Sequence, residues 1–339
     1  MFHRLSLKSM ASAMTLTLTL TMASGLSQAA ENTLRLMMSP SGSGPYNAFA
    51  TVQTHMADFS KTLRYSTEET PGFNFNVKYL AAHPERYENT IFGTGSVLNW
   101  AAETGQKPFY PKPLPAMADF RIVLVLGPTF NAWVTLDPTI KSVNDFPGKR
   151  IGTGLLTQNE WGMHQRMLLD AWGMREELKS LDTLGPGENI AALLDGRTDV
   201  GTLFGLTSAD GKITVVTGPH RQIEASGRDW HYVEVPPEMI ESSGMPFNVV
   251  SYEPNTLPNQ PERVNMFGDL LMLAAHKSMP DDLVYEFVRV FVENSEKIRS
   301  YHGFLKPLTP QTLAHTAQQN PDAFHTGSLR AFRDLGLIK

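Results

Sequence analysis

The chain has 339 residues, 19% charged and 41% hydrophobic, a globular balance with enough length for two lobes that each have a core. It contains no cysteine, which excludes a disulfide framework and a lipid-modified cysteine, and its formal charge of −5 argues against nucleic acid or an anionic membrane surface as partner. A small anionic ligand stays open, because local dipoles override net charge.

Residues 1–30 read as a cleavable signal peptide. Arg4 and Lys8 form a basic start, Met10 to Leu26 is apolar and softened by Thr and Ser, and Ser27-Gln28-Ala29 is a small-x-small cleavage signal. The mature chain is expected to begin at Ala30 or Glu31 in the periplasm. Losing Arg4 and Lys8 takes the formal charge from −5 to −7.

Thr33 to Met38 reads as the first strand, followed by Ser39-Pro-Ser-Gly-Ser-Gly-Pro-Tyr46 and a helix from about Asn47 to Lys61. The glycines let backbone amides approach a ligand, and Ser41, Ser43 and Tyr46 offer hydroxyls. The loop lacks the Gly-Lys-Ser/Thr of a phosphate loop and the spacing of a dinucleotide fingerprint. As a ligand loop it competes evenly with a plain flexible connection. Phe73 to Tyr79 alternates and reads as the second strand. Ile91 to Ser96 reads as a Gly/Ser turn into a helix through Val97, Leu98 and Trp100, and Gln106 to Pro115 as a proline-rich surface loop. Phe120 to Leu126 is an apolar buried strand, broken by Gly127-Pro128, with extended structure resuming at Ala132 to Leu136.

The segment Ile140 to Met174 is the most complete unit. Asp145 and Pro147-Gly148 make a turn, Lys149-Arg150-Ile151 a strand, and Thr157-Gln158-Asn159 a polar loop before a helix. Asn159 reads as its N-cap and Gly173 as the residue that ends it. A helix start presents unpaired N–H groups and a positive dipole end, which suits a carboxylate or phosphate; an ordinary strand–helix turn has the same pattern. Further on, Glu188 to Asp195 is a short helix, Thr198 to Phe204 and Ile213 to Val216 are strands of a mostly parallel sheet, and Phe267 to Ala275 is an apolar return strand. Asp281 reads as the cap of a long helix through Leu283, Phe287, Val290, Phe291 and Ile298.

No catalytic machinery is legible. There is no Gly-x-Ser-x-Gly elbow and no cysteine nucleophile. Glu160 and His164 sit one helical turn apart but lack an evident third ligand, so no metal and no cofactor is expected. Asp195 and Asp199 read as helix-end and turn residues, and the tryptophans Trp133, Trp161 and Trp172 as core or cleft wall.

The order of SPSGSGPY, IKSVNDFPGKRIGTG, LLDAWGM, LLDGRTDV, DDLVYEFVRVFVEN and HTGSLRAFRDLGL resembles the TAXI-type solute receptors of tripartite ATP-independent periplasmic (TRAP) transporters. The closing pattern falls on His325, Gly327, Ser328, Arg330, Phe332, Asp334 and Gly336. The first loop is poorer in Gly-Thr-Gly than that family's. The middle loop has Thr157-Gln158-Asn159 in place of Ser-Gly, and residues 64–115 depart from the pattern.

The resemblance implies an α/β fold of the type II periplasmic-binding-protein kind, two lobes hinged by crossing strands. It implies capture of a small organic acid or amino acid without turnover, and delivery to an integral-membrane TRAP permease. One lobe is expected to comprise residues 31–126 plus 264–339 and the other residues 127–263. The expected cleft site takes Ser41, Gly42, Ser43, Tyr46, Thr94, Gly95 and Ser96 from one lobe. Thr157, Gln158 and Asn159 come from the other, with Asn131 and Trp133 near the hinge. The alternatives are an exported enzyme on the same fold, distinguished by ligand turnover, and a sensor subunit docking on a signalling partner.

Overall fold

One 16-residue strand, Phe120–Thr135, runs through both halves of the sheet where the sequence reading broke it in two. Leu271 is paired with Gly127 but the next residue, Met272, with Val125, so a bulge absorbs the irregularity. Gly127 has φ 141°, and a Cβ there would lie 2.5 Å from the Thr207 carbonyl oxygen. Pro128, which has no N–H to donate, is tolerated beside the bulge.

The computed structural model describes residues 32–339, so the expected signal peptide and its cleavage lie outside the described residues. Its strands are β1 (Asn32–Met37), β2 (Leu63–Glu68), β3 (Thr90–Gly95), β4 (Phe120–Thr135), β5 (Arg150–Thr153) and β6 (Ser180–Thr183). They continue with β7 (Val200–Thr207), β8 (Thr214–Val216), β9 (His231–Val233), β10 (Asn248–Tyr252), β11 (Val264–Gly268) and β12 (Leu270–His276). The main order is β2-β1-β3-β12-β4-β7-β5-β6.

β1 runs parallel to β2 and β3, and β5 runs parallel to β6 and β7. Between these parallel sets, β12, β4 and β7 pair antiparallel. The sheet is therefore mixed, where the sequence suggested a mostly parallel one. The N-terminal part of β4 pairs with β12 over Phe120–Pro128, and its C-terminal part with β7 over Thr129–Thr135. The result is two α/β lobes joined by crossing strands.

Side-chain alternation along β4 serves two cores. Phe130, Ala132 and Val134 pack with Ile190, Leu193 and Leu203. Trp133, fully buried, meets Phe146 edge to face at 5.3 Å in the other cluster. Among the described residues, no helix is long and apolar enough to cross a membrane.

Three local expectations change. Phe73–Ala82 is a helix, burying Phe73, Asn76, Val77 and Leu80 at helical spacing, and the second strand is the less apolar Leu63–Glu68. Buried Asn76 justifies its place: its side-chain amide donates to the carbonyls of Met37, Met38 and Gly93 at 3.2, 2.8 and 3.3 Å. Ile91–Gly95, read as a turn, belongs to the fully buried strand β3, and a helix follows over Ser96–Thr104. The long C-terminal helix divides at Asn294 into Asp281–Glu293 and Ser295–Tyr301. Pro280, not Asp281, occupies its N-cap, leaving Asp281 in the first turn.

Candidate functional site

A cavity of about 660 Å³ is lined by loops from both halves of the sheet. That volume suits a small organic ligand. Three helices begin at its wall. Gly44–Thr54 enters through Ser43, Gly44 and Pro45, Pro186–Leu194 through Pro186 and Gly187, and Gly218–Ala225 through Thr217, Gly218 and Pro219. Each carries proline in its first two positions, where a missing N–H breaks no helix bond.

Their caps differ. The Ser43 hydroxyl accepts from the Tyr46 N–H at 3.4 Å and lies 2.6 Å from the Ser39 hydroxyl. The Glu188 carboxylate accepts from the Gly185 N–H at 3.1 Å. Thr217 does not cap its own helix; its hydroxyl donates to the Phe204 carbonyl at 3.0 Å. First-turn amides have no partner within their helix and sit at the positive end of the dipole, so three such ends favour a negatively charged occupant. The wall also includes exposed Arg221, which adds a fixed positive charge, and the apolar Phe73, Trp161, Phe204 and Phe304.

Of the residues expected at the site, Ser41, Gly42, Ser43, Gln158 and Asn159 line this cavity. Tyr46 sits in the first helical turn but outside the lining. Thr94 and Gly95 lie in buried β3, and the Thr94 hydroxyl donates to the Asn99 side chain at 2.6 Å. Ser96 donates to Asp269. Trp133 is sealed in the sheet core, and Asn131 donates to Glu160 at 2.7 Å. Thr157 offers its carbonyl to the Asn74 N–H at 3.2 Å.

Asn159 is not the N-cap; Gln158 holds that place, and Asn159 opens a π-helical turn, Asn159–Met163. The sequence reading missed the Gly185-Pro-Gly-Glu and Thr217-Gly-Pro starts and Arg221. A strand followed by a capping residue and proline was the available signal for both starts. Arg221 had none.

A buried cluster reaches the cavity wall through Glu160, which is one of the lining residues. The π-helical turn carries Glu160, and His164 opens the α-helix that follows. Asp269 occupies the single residue between β11 and β12. His164 Nδ1 lies 3.9 Å from Glu160 Oε2, and its Nε2 lies 3.7 Å from Asp269 Oδ2. Glu160 accepts from Thr129 at 3.1 Å, Asn131 at 2.7 Å and Asn159 at 3.0 Å.

Asp269 Oδ1 accepts from Ser96, from the Val97 N–H at 3.0 Å and from the Leu270 N–H at 2.6 Å. Burial pushes the Glu160 carboxyl well above the usual range, and the neighbouring Asp269 charge pushes it further. Burial also raises Asp269, against the hydrogen bonds from Ser96, Val97 and Leu270. Burial drives His164 down to about 3, so its ring is neutral. One atom from each of the three falls within 4.8 Å of the others, so Asp269 supplies the third candidate ligand that the sequence did not reveal.

A mixed sheet with crossing strands, and a cleft walled by helix starts, define the two-lobe α/β fold of periplasmic binding proteins. The chain belongs to the NMT1-like family, which it matches over residues 47–336. No curated protein matches its sequence. A Xanthomonas citri protein solved bound to ATP is 13% identical and superposes with a TM-score of 0.50, covering 89% of this chain and 98% of that one. MatC from Rhodopseudomonas palustris, solved with bound malate, is 11% identical with a TM-score of 0.50, over 90% of this chain and 96% of its own.

Proposed function

We propose that this protein is a periplasmic receptor that captures a small carboxylate in the interlobe cleft and releases it, chemically unchanged, to a membrane permease. The observation that carries the reading is the convergence of three helix N-termini, with Arg221, on one cavity. An anion gains from each dipole end and from unpaired first-turn amides, and it needs no buried arginine. Ser41, Gly42, Ser43, Gln158 and Asn159 add polar contacts, while Phe73, Trp161, Phe204 and Phe304 take up an apolar portion. The malate and ATP of the two similar structures are both anions, in keeping with that class.

The resemblance to TAXI-type receptors makes a TRAP permease the expected partner, reached after residues 1–30 are removed on export. The lobes are proposed to be residues 31–126 with 264–339, and 127–263, closing about the crossing strands.

Calorimetry of the purified protein against dicarboxylates, amino acids, neutral sugars and cations tests the ligand class, with recovery of the ligand afterwards. Saturable binding of a carboxylate, recovered intact at one equivalent, supports the receptor. Altered ligand at more than one equivalent refutes it in favour of an enzyme, and binding only of neutral sugars refutes the anion reading.

A further inference from the structure

We propose that Glu160, His164 and Asp269 bind a single first-row divalent transition cation of the zinc class, beside the cleft. The inference does not rest on the ligand proposed above, although Glu160 also lines that cavity. One oxygen from each carboxylate and one imidazole nitrogen lie within 4.8 Å of one another, and all three residues are buried. Zinc bonds to nitrogen and oxygen are about 2.0–2.2 Å, which places tetrahedral neighbours about 3.3–3.6 Å apart. One cation takes one ring nitrogen, so only one of the two nearest pairs, Nε2 with Asp269 at 3.7 Å or Nδ1 with Glu160 at 3.9 Å, is a ligand pair. The other carboxylate, within 4.8 Å, must move in by up to about 1.5 Å.

Two of the three donors a cation would use, one His164 nitrogen and Asp269 Oδ2, are unsatisfied, while the Glu160 oxygens already accept hydrogen bonds. Both nitrogens of fully buried His164 and Oδ2 of Asp269 have no hydrogen-bond partner among the described residues. Such orphans are rare in buried side chains and call for a partner. Asp269 Oδ1, by contrast, is held by three donors, which fixes the carboxylate and leaves Oδ2 turned to the ring. Glu160 is held by Thr129, Asn131 and Asn159, and the Phe247 ring packs edge to face on His164 at 5.1 Å. This is the outer support that metal ligands characteristically have. Gly95 makes room as well, since a Cβ there would run into Asp269 Oδ2.

Charge gives the same answer. Two buried carboxylates meet no lysine or arginine among the described residues, and His164 is their one ion-pair neighbour. A divalent cation with two carboxylates and a neutral imidazole sums to zero, which removes the penalty of burying the anions. The imidazole argues against Mg²⁺ and Ca²⁺, which favour oxygen donors. The cation takes one ring nitrogen, and the other carries the proton. Three protein ligands leave a further position for water.

The test uses the full mature chain, stripped with chelator and titrated with Zn²⁺ by calorimetry and with Co²⁺ by visible absorption. Expected are one cation per chain and a Co²⁺ spectrum of low coordination number. His164→Gln and Asp269→Asn should each weaken binding by about tenfold or more. Circular dichroism checks that each variant folds. If either does not, X-ray absorption on the Zn²⁺-loaded wild type decides, with one imidazole and otherwise oxygen donors expected. No saturable binding overturns the proposal, as do folded variants that bind as tightly as the wild type, or a site with two or more imidazoles.

Discussion

Thr217→Asp separates an anion-binding cleft from a merely polar one. Thr217 is the N-cap of Gly218–Ala225 and borders the cavity, but its hydroxyl is committed to the Phe204 carbonyl and leaves its own helix uncapped. Aspartate caps better, by roughly 0.5–2 kcal/mol, and losing the bond to Phe204 costs about 0.5–1.5 kcal/mol. The two nearly cancel, so stability should hardly change.

The ligand instead meets a new negative charge. At a separation of about 6 Å and an effective dielectric of about 20–80, repulsion is about 0.7–2.8 kcal/mol, or roughly 3- to 100-fold in affinity. Calorimetry with the carboxylate should show a loss near tenfold, reduced at about 1 M salt where the screening length is about 3 Å. Thr217→Asn, uncharged, should keep most of the affinity. If the folded aspartate variant binds as well as the wild type, or the asparagine variant loses as much, the helix starts do not hold an anion.

Further outcomes follow from other parts of the chain. Gly127→Ala imposes a side chain at φ 141° against the Thr207 carbonyl. Strain of about 1–3 kcal/mol, at roughly 2–4 °C per kcal/mol, should lower Tm by about 2–12 °C in calorimetry, and an unchanged Tm contradicts the bulge. Ser43→Ala removes a cap bond and the contact with Ser39, and Gln158→Ala a wall side chain. If either removes a charge-assisted bond to the ligand, affinity falls by about one to two decades, and folded variants with full affinity in both cases exclude these loops.

Asp199 accepts from the Arg150 N–H at 2.8 Å and from its Nε at 3.1 Å and Nη2 at 2.5 Å, and the Arg150 side chain holds its carboxyl below the usual range. A depressed carboxyl stabilises the fold above its unfolded pKa of about 3.9, and that stability is lost as pH falls through the folded value. Asp199→Asn should therefore lose about 1–2 kcal/mol in urea unfolding at pH 7 and little in acid; an equal loss at both pH values would refute the ion pair.

Local rules were sufficient where one segment contains its own explanation. Ser39–Pro45 and Gln158–Asn159 were legible as loops that open helices because small residues and polar groups precede an apolar-periodic run, and both line the cavity. Gly173, read as the end of its helix, has φ 69°. They failed for Phe73–Tyr79, whose alternating phenylalanines also fit one helical face, and for Ile91–Gly95, whose glycines mask a buried central strand.

The sequence by itself determined that the chain alternates strand and helix and that several helices open on glycine- and serine-rich loops. It could not say which hydroxyls remain for a ligand. Thr94 and Ser96 spend theirs on Asn99 and Asp269, and the Asn131 amide is spent on Glu160, partners set by sheet register. Only the tertiary structure decided that Gly127 and Pro128 are carried through one strand, because a bulge there is compensated by β12 from the far end of the chain. It alone set Asp269 against His164 and Glu160. A ligand set needs atoms a few ångströms apart, and spacing along the chain fixes such distances only within a single helix or turn.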